Sequence, residues 1–164
     1  MINRKCIKPK KVVTIMKTFA DNCGNSSYII KKGDSFQVFI PDNDEELIFN
    51  LFLMNYNFNE FDELTPFRRC WVKEYPMIKG FATITLTLLH EVGHIETMYD
   101  VNYSNEQRDS DIKEILETED YDKYFFLPDE RAATEWAINW LSNSENRKIA
   151  KSFEKEFFKC FKRG

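Results

Sequence analysis

The sequence has 164 residues and a formal net charge of −4, enough chain for one ordinary domain with a buried core. So small a net charge lacks the signature of direct nucleic-acid binding or of membrane attachment. No signal-like or membrane-length apolar run is present. The four cysteines, Cys6, Cys23, Cys70 and Cys160, lie far apart with no C-x-x-C pair. That spacing argues against a cysteine-based zinc site or a disulfide framework, so a reducing cytoplasm is the expected compartment.

In chain order, Lys10 to Ala20 reads as a short helix with Val13, Met16 and Ala20 on one side. Turn residues from Asp21 to Asn25 end it. Two β-rich runs follow, Ser26–Ile30 and Ser35–Ile40, separated by Lys31–Asp34; a hairpin is the simplest reading. Acids at Asp42–Glu46 precede the apolar stretch Leu47–Tyr56, which suits a helix N-terminus, although the same residues would also serve as a buried strand. Phe67–Tyr75 is expected to form another strand, closed by Pro76.

From Phe81 to about Tyr99 the period becomes helical. Asp100 to Asp122 is polar and acidic, with one helical turn expected around Ile112–Leu116. Pro128 opens an amphipathic helix running to Leu141, with Asp129 and Glu130 at the positive end of its dipole. Ser142–Ser144 breaks that helix and caps the last one. There Ile149, Phe153, Phe157 and Phe161 recur at four-residue steps, a stripe better suited to core packing than to a partner. The plentiful aromatics, fifteen Phe, seven Tyr and three Trp, read mainly as core filling.

The chemistry concentrates in His90-Glu91-Val92-Gly93-His94. Residues four apart on a helix share a face, so the two imidazoles can reach one metal ion. Neutral imidazole suits zinc, and Glu91, one residue beyond the first ligand, is placed to take a proton from a water that the metal acidifies. Both histidines of the chain fall in this pentapeptide. Random placement of two histidines would produce H-E-x-x-H about once in a thousand such chains.

A third ligand must be a carboxylate, since no histidine remains and cysteine is the poorer donor here. The Asp129–Leu141 helix offers Glu130 and Glu135. Its apolar residues Ala133, Trp136, Ala137, Trp140 and Leu141 form one broad face; Glu130 lies at the edge of that face and Glu135 opposite it. Glu130 is therefore the expected ligand, against the plainer role of complementing the helix dipole. Gly93 inside a helix costs about 1 kcal/mol relative to Ala, so a close approach of another element is expected there. In the acidic segment, Tyr121 or Tyr124 could stabilise an oxyanion near the metal, but spacing selects neither.

His90–His94, followed by a helix reading Glu130-Arg-Ala-Ala133-Thr-Glu-Trp136-Ala137, resembles the ImmA/IrrE group of zincin-like metallopeptidases. Those proteins carry H-E-x-G-H and a downstream E-x-x-A-N-x-F-A helix; here Thr134 stands for the Asn and Trp136 for the Phe. The resemblance implies His90, His94 and Glu130 as zinc ligands, Glu91 as catalytic base, and often a phage or mobile-element origin. Members are associated with cleavage or inactivation of transcriptional repressors.

The expectation is thus a single zincin-like metallopeptidase domain over residues 1–164. Its fold would be α+β, a small sheet packed with the H-E-x-x-H helix and the downstream glutamate-bearing helix. Its partners would be a protein or peptide substrate, with no nucleic acid and no membrane. The alternative is a regulatory or protein-interaction protein whose zinc is structural; a hydrolase acting on another bond is a third possibility.

Overall fold

The computed structural model describes residues 4–24, 29–32, 36–41, 46–51 and 66–163. Six α-helices carry most of it: α1 (Pro9–Cys23), α2 (Pro66–Glu74), α3 (Thr83–Thr97), α4 (Asn105–Thr118), α5 (Pro128–Leu141) and α6 (Ser144–Phe158). Short 3-10 segments, Pro76–Gly80 and Tyr121–Phe126, lead into α3 and α5. Strands β1 (Arg4–Cys6) and β5 (Phe161–Arg163) pair antiparallel. So do β2 (Ile29–Lys32), β3 (Phe36–Pro41) and β4 (Glu46–Leu51), in that order.

The buried core is helical. Val12, Met16 and Phe19 of α1, Trp71 of α2, Leu88, Leu89 and Val92 of α3, Leu141 of α5 and Phe153 and Phe157 of α6 meet in one cluster. Phe19 stacks on Phe153 with ring centroids 4.2 Å apart. Burying these apolar side chains supplies the main drive for association of the helices. Of the final four-step stripe, Phe153, Phe157 and Phe161 are buried and Ile149 is exposed.

The expected α+β fold, with a small sheet packed with the site helices, is corrected by this arrangement. The protein is predominantly helical, and among the described core residues only Phe161 comes from a strand. Amphipathic helices at three-to-four-residue spacing bury their stripes against one another, which makes the described core helical. Two local expectations are settled with it. Phe67–Tyr75, expected as a strand, lies in helix α2 up to Glu74, where Cys70 and Trp71 are buried beside half-buried Arg68 and exposed Arg69. Of the helix and the strand both left open over Leu47–Tyr56, the strand forms, as β4 up to Leu51, and the remainder lies outside the described residues.

The acidic segment also gains structure, forming α4 across fourteen residues where one turn was expected. Ser104 caps it, its hydroxyl accepting from Gln107 N at 3.1 Å, and this cap satisfies an amide that the helix start leaves unpaired. Asn143 caps α6 in the same way, accepting from the amides of Glu145 and Asn146. Among the described residues no helix is long and apolar enough to cross a membrane.

Two contacts hold the site helices in place. Glu154 of α6 accepts from Ala82 N at 2.7 Å and from the Thr85 hydroxyl at 2.8 Å. A buried carboxylate thus sits at the positive N-terminus of α3, where it is electrostatically favoured. Arg131 of α5 donates to Glu74 of α2 at 2.8 Å and lies over the Trp71 ring, 5.6 Å from its centroid. These contacts fix α5 against α2.

Candidate metal centre

Helix α3 presents His90 and His94 one turn apart, their rings meeting edge to face with centroids 4.5 Å apart. Helix α5 brings Glu130 to them from its first turn. Glu130 Oε2 lies 2.8 Å from His90 Nε2 and 3.2 Å from His94 Nε2. One donor atom from each of His90, His94 and Glu130 falls within 4.8 Å of the others, and the three form a group that could hold a metal ion. His90 and Glu130 are buried, and the His94 side chain retains 13% of its exposure.

The donor chemistry fits a divalent transition metal. Two imidazole nitrogens and one carboxylate oxygen form a set that zinc accepts with a fourth position left open. Glu135, the other acidic candidate on α5, is exposed and interacts with Arg131 and the Tyr75 hydroxyl. The helix-face argument that separated the two glutamates therefore agrees with their positions.

The approach of α5 to α3 depends on Gly93. A Cβ placed there would come within 3.0 Å of Ala133 C and Cα, and nearer still to the Ala133 carbonyl oxygen. The glycine thus lets the α5 backbone pass directly over α3, one turn beyond Glu130. The close approach expected at Gly93 is the contact between the two metal-site helices.

Thr134, on the same face of α5 as Glu130, places its hydroxyl 2.8 Å from His90 Nδ1. A hydroxyl both donates and accepts, so it serves either imidazole tautomer. When His90 Nε2 offers its lone pair to a metal, Nδ1–H donates to Thr134 Oγ1, which fixes the ring orientation. Sequence reasoning had this residue only as a departure from a family pattern. Its spacing, four residues after Glu130 on the ligand-bearing face, is the signal that would have found it.

Arg108 of α4 was not anticipated either. Its Nε donates to Asp129 Oδ2 at 2.8 Å, and its Nη2 reaches the Tyr124 hydroxyl at 3.2 Å and Glu130 Oε1 at 3.5 Å. The guanidinium therefore engages the Glu130 oxygen that faces away from the histidines. Tyr124 lies beside this network and interacts with Glu130, whereas Tyr121 is largely exposed. Of the two tyrosines singled out in the sequence, the fold brings only Tyr124 to the centre.

The electrostatics follow from burial and pairing. Burial works to raise the Glu130 carboxyl, but its bonds to both imidazoles overcome this and hold it well below the usual carboxylate range. Burial works to lower His94, yet Glu130 and Glu91 carry its pKa above the ordinary histidine value. For His90 burial wins, and its pKa falls despite Glu130. Burial, assisted by the charge of Glu130 and opposed by His94, pushes the Glu91 carboxyl up to about 7. A carboxyl poised near neutrality beside three metal donors is able to take and return a proton.

Comparison with known protein families, curated proteins and solved structures finds no match.

Proposed function

We propose that this chain is a zinc-dependent hydrolase that cleaves peptide bonds, with His90, His94 and Glu130 holding the ion and Glu91 acting as general base. The observation that carries the reading is the convergence of two imidazole nitrogens and the Glu130 carboxylate within 4.8 Å, with Glu91 adjacent to the first ligand on the same helix. Bound at these donors, zinc would supply Lewis acidity and make a water substantially more acidic than in bulk.

The chain's own groups account for the remaining steps. Glu91 accepts the proton of the attacking water and returns it to the leaving nitrogen. Thr134 keeps His90 in the orientation that presents Nε2, and Arg108 engages the outer oxygen of Glu130. Tyr124, whose hydroxyl accepts from Arg108 at 3.2 Å, is the candidate to stabilise the oxygen of an attacked carbonyl. A peptide bond as the target rests on the resemblance of His90–His94 and Glu130–Ala137 to ImmA/IrrE-like peptidases. Cleavage or inactivation of a regulatory protein, in a phage or mobile-element setting, would follow from that kinship.

A regulatory protein with a purely structural zinc is the less favoured reading. Such sites ordinarily close with four protein ligands, and among the described residues three donors gather here. The test is Glu91→Gln in the zinc-loaded protein. Turnover of a protein substrate, followed by mass spectrometry, should vanish while zinc remains bound at one ion per chain; cleavage that survives would remove Glu91 from the mechanism.

A further inference from the structure

Beside the metal centre, α4 and the Tyr121–Phe126 segment enclose a groove of about 740 Å³. Its floor is apolar, made by Ile112, Ile115 and Leu116 of α4 together with Tyr124 and Phe125. Leu116 is 61% exposed and Tyr121, on the rim, 57%. Two large apolar side chains left in solvent along one groove mark a surface suited to a binding partner. Glu119, Asp120 and Asp122 border it, with Arg69 the only basic residue in the lining. Arg69 pairs with Asp122 at 2.6 Å and Lys123 approaches Asp120 at 3.8 Å, so three acids face two bases and the rim keeps a negative balance, centred on Glu119.

Tyr124 joins this groove to the metal donors. Its ring lines the groove, while its hydroxyl meets Arg108 and interacts with Glu130. The groove thus connects to the centre through Tyr124, on the side of Glu130 that Arg108 engages.

We propose that this groove is the substrate-recognition site, taking a bulky apolar side chain of a peptide segment whose neighbouring residues are basic. The inference rests on the hydrolase reading for its consequence, cleavage near the captured residue, but not for the binding itself. The apolar floor selects Leu, Phe or a similar side chain over a polar one. The acidic rim selects Arg or Lys beside it and rejects acidic neighbours.

The experiment uses the full chain, zinc-loaded and carrying Glu91→Gln so that bound peptide is not consumed. Three fluorescent dodecapeptides serve as probes: one with Leu-Phe flanked by Arg, one with Leu-Phe flanked by Glu, and one with Gly-Gly flanked by Arg. Anisotropy should show the first binding about tenfold or more tighter than either other. Leu116→Asp should erase the advantage of Leu-Phe over Gly-Gly. Glu119→Lys combined with Asp120→Lys should erase the advantage of Arg flanks over Glu flanks. Both variants should keep full zinc occupancy, which shows that they remain folded.

Equal binding of the three peptides, or preferences unmoved by these substitutions, overturns the proposal. Preferential binding that responds to the substitutions, with no cleavage by the Glu91-bearing chain, supports the groove and removes the peptidase reading. Cleavage whose sequence preference ignores Leu116 and the rim acids does the reverse.

Discussion

Gly93 on α3 and Ala133 on α5 make a backbone-close contact that leaves no room for a side chain at position 93. Because Ala133 lies between Glu130 and Thr134, this one contact sets the distance of both residues from the histidines. Gly93→Ala would meet the rigid backbone of Ala133, which has no flexible end to yield. Separating the helices should cost about 1–3 kcal/mol in stability and weaken zinc binding by about tenfold or more, as loss of ligand placement does. Chemical denaturation and competitive chelator titration measure the two effects. Unchanged zinc affinity would show that the contact does not position Glu130.

Thr134→Val keeps the shape of the side chain and removes the hydroxyl facing His90 Nδ1. Zinc affinity should fall by about ten- to a hundredfold, the usual cost of deleting a partner behind a metal-ligating histidine. Thr134→Ser should restore most of it, because the hydroxyl returns. Chelator competition on the three proteins decides the matter.

The histidines were legible because their relationship is local: two residues four apart on a helix need no tertiary information. Glu130 was legible for a similar reason, since its position relative to Ala133 and Ala137 follows from helical period alone. Thr134 and Arg108 were not. Thr134 gains its role only when α5 packs across Gly93, and Arg108 only when α4 folds back towards Asp129. Arg108 leaves no periodic trace, and Thr134 leaves only its four-residue spacing from Glu130, which does not by itself say that a histidine lies opposite. Helix α4 was obscured by composition, because only Ile115 among its residues is buried, and so thin a stripe reads as loop. Helix α2 was mistaken for a strand because an apolar and aromatic run bounded by prolines suits either period over a few residues.

Metal binding should depend on pH in a defined direction. In the metal-free protein Glu130 holds His94 above its ordinary pKa, with burial opposing. Zinc must displace a proton from that imidazole, so affinity should fall as pH drops through neutrality and proton release should accompany binding. Calorimetry in two buffers of different ionisation enthalpy measures that release. Apparent enthalpies identical in both buffers would contradict the protonated His94–Glu130 pair.

Without metal, stability should run against that trend. The raised His94 favours folding below its unfolded pKa of roughly 6.5 and loses that contribution as pH rises through the folded value. Glu91, pushed up to about 7, acts in the same direction, its contribution fading as pH climbs from the ordinary carboxylate range to about 7. The lowered Glu130 and the lowered His90 contribute above their unfolded pKa values and lose that contribution on acidification. The metal-free chain should therefore be most stable on the acid side of neutrality, between roughly pH 4.5 and 6.5. Zinc should move the optimum upward. Thermal melts across pH, with and without zinc, give both curves, and coincident optima would contradict this account.

Glu154 supports the site from behind. Glu154→Ala leaves the Ala82 amide and the Thr85 hydroxyl without their carboxylate acceptor, which should cost about 1–3 kcal/mol. Denaturation midpoints test this. A change below about 0.5 kcal/mol would mean that water replaces the carboxylate at no loss.

On the proposed reading, His90, His94 and Glu130 bind zinc and leave a position open. X-ray absorption at the zinc edge, on protein loaded with one equivalent, tests it most directly. The spectrum should show a shell of nitrogen and oxygen only, near 2.0–2.1 Å, with scattering from two imidazoles, and its loss in Glu130→Ala but not in Glu135→Ala. A sulfur shell near 2.3 Å, or an unchanged spectrum in Glu130→Ala, would contradict it.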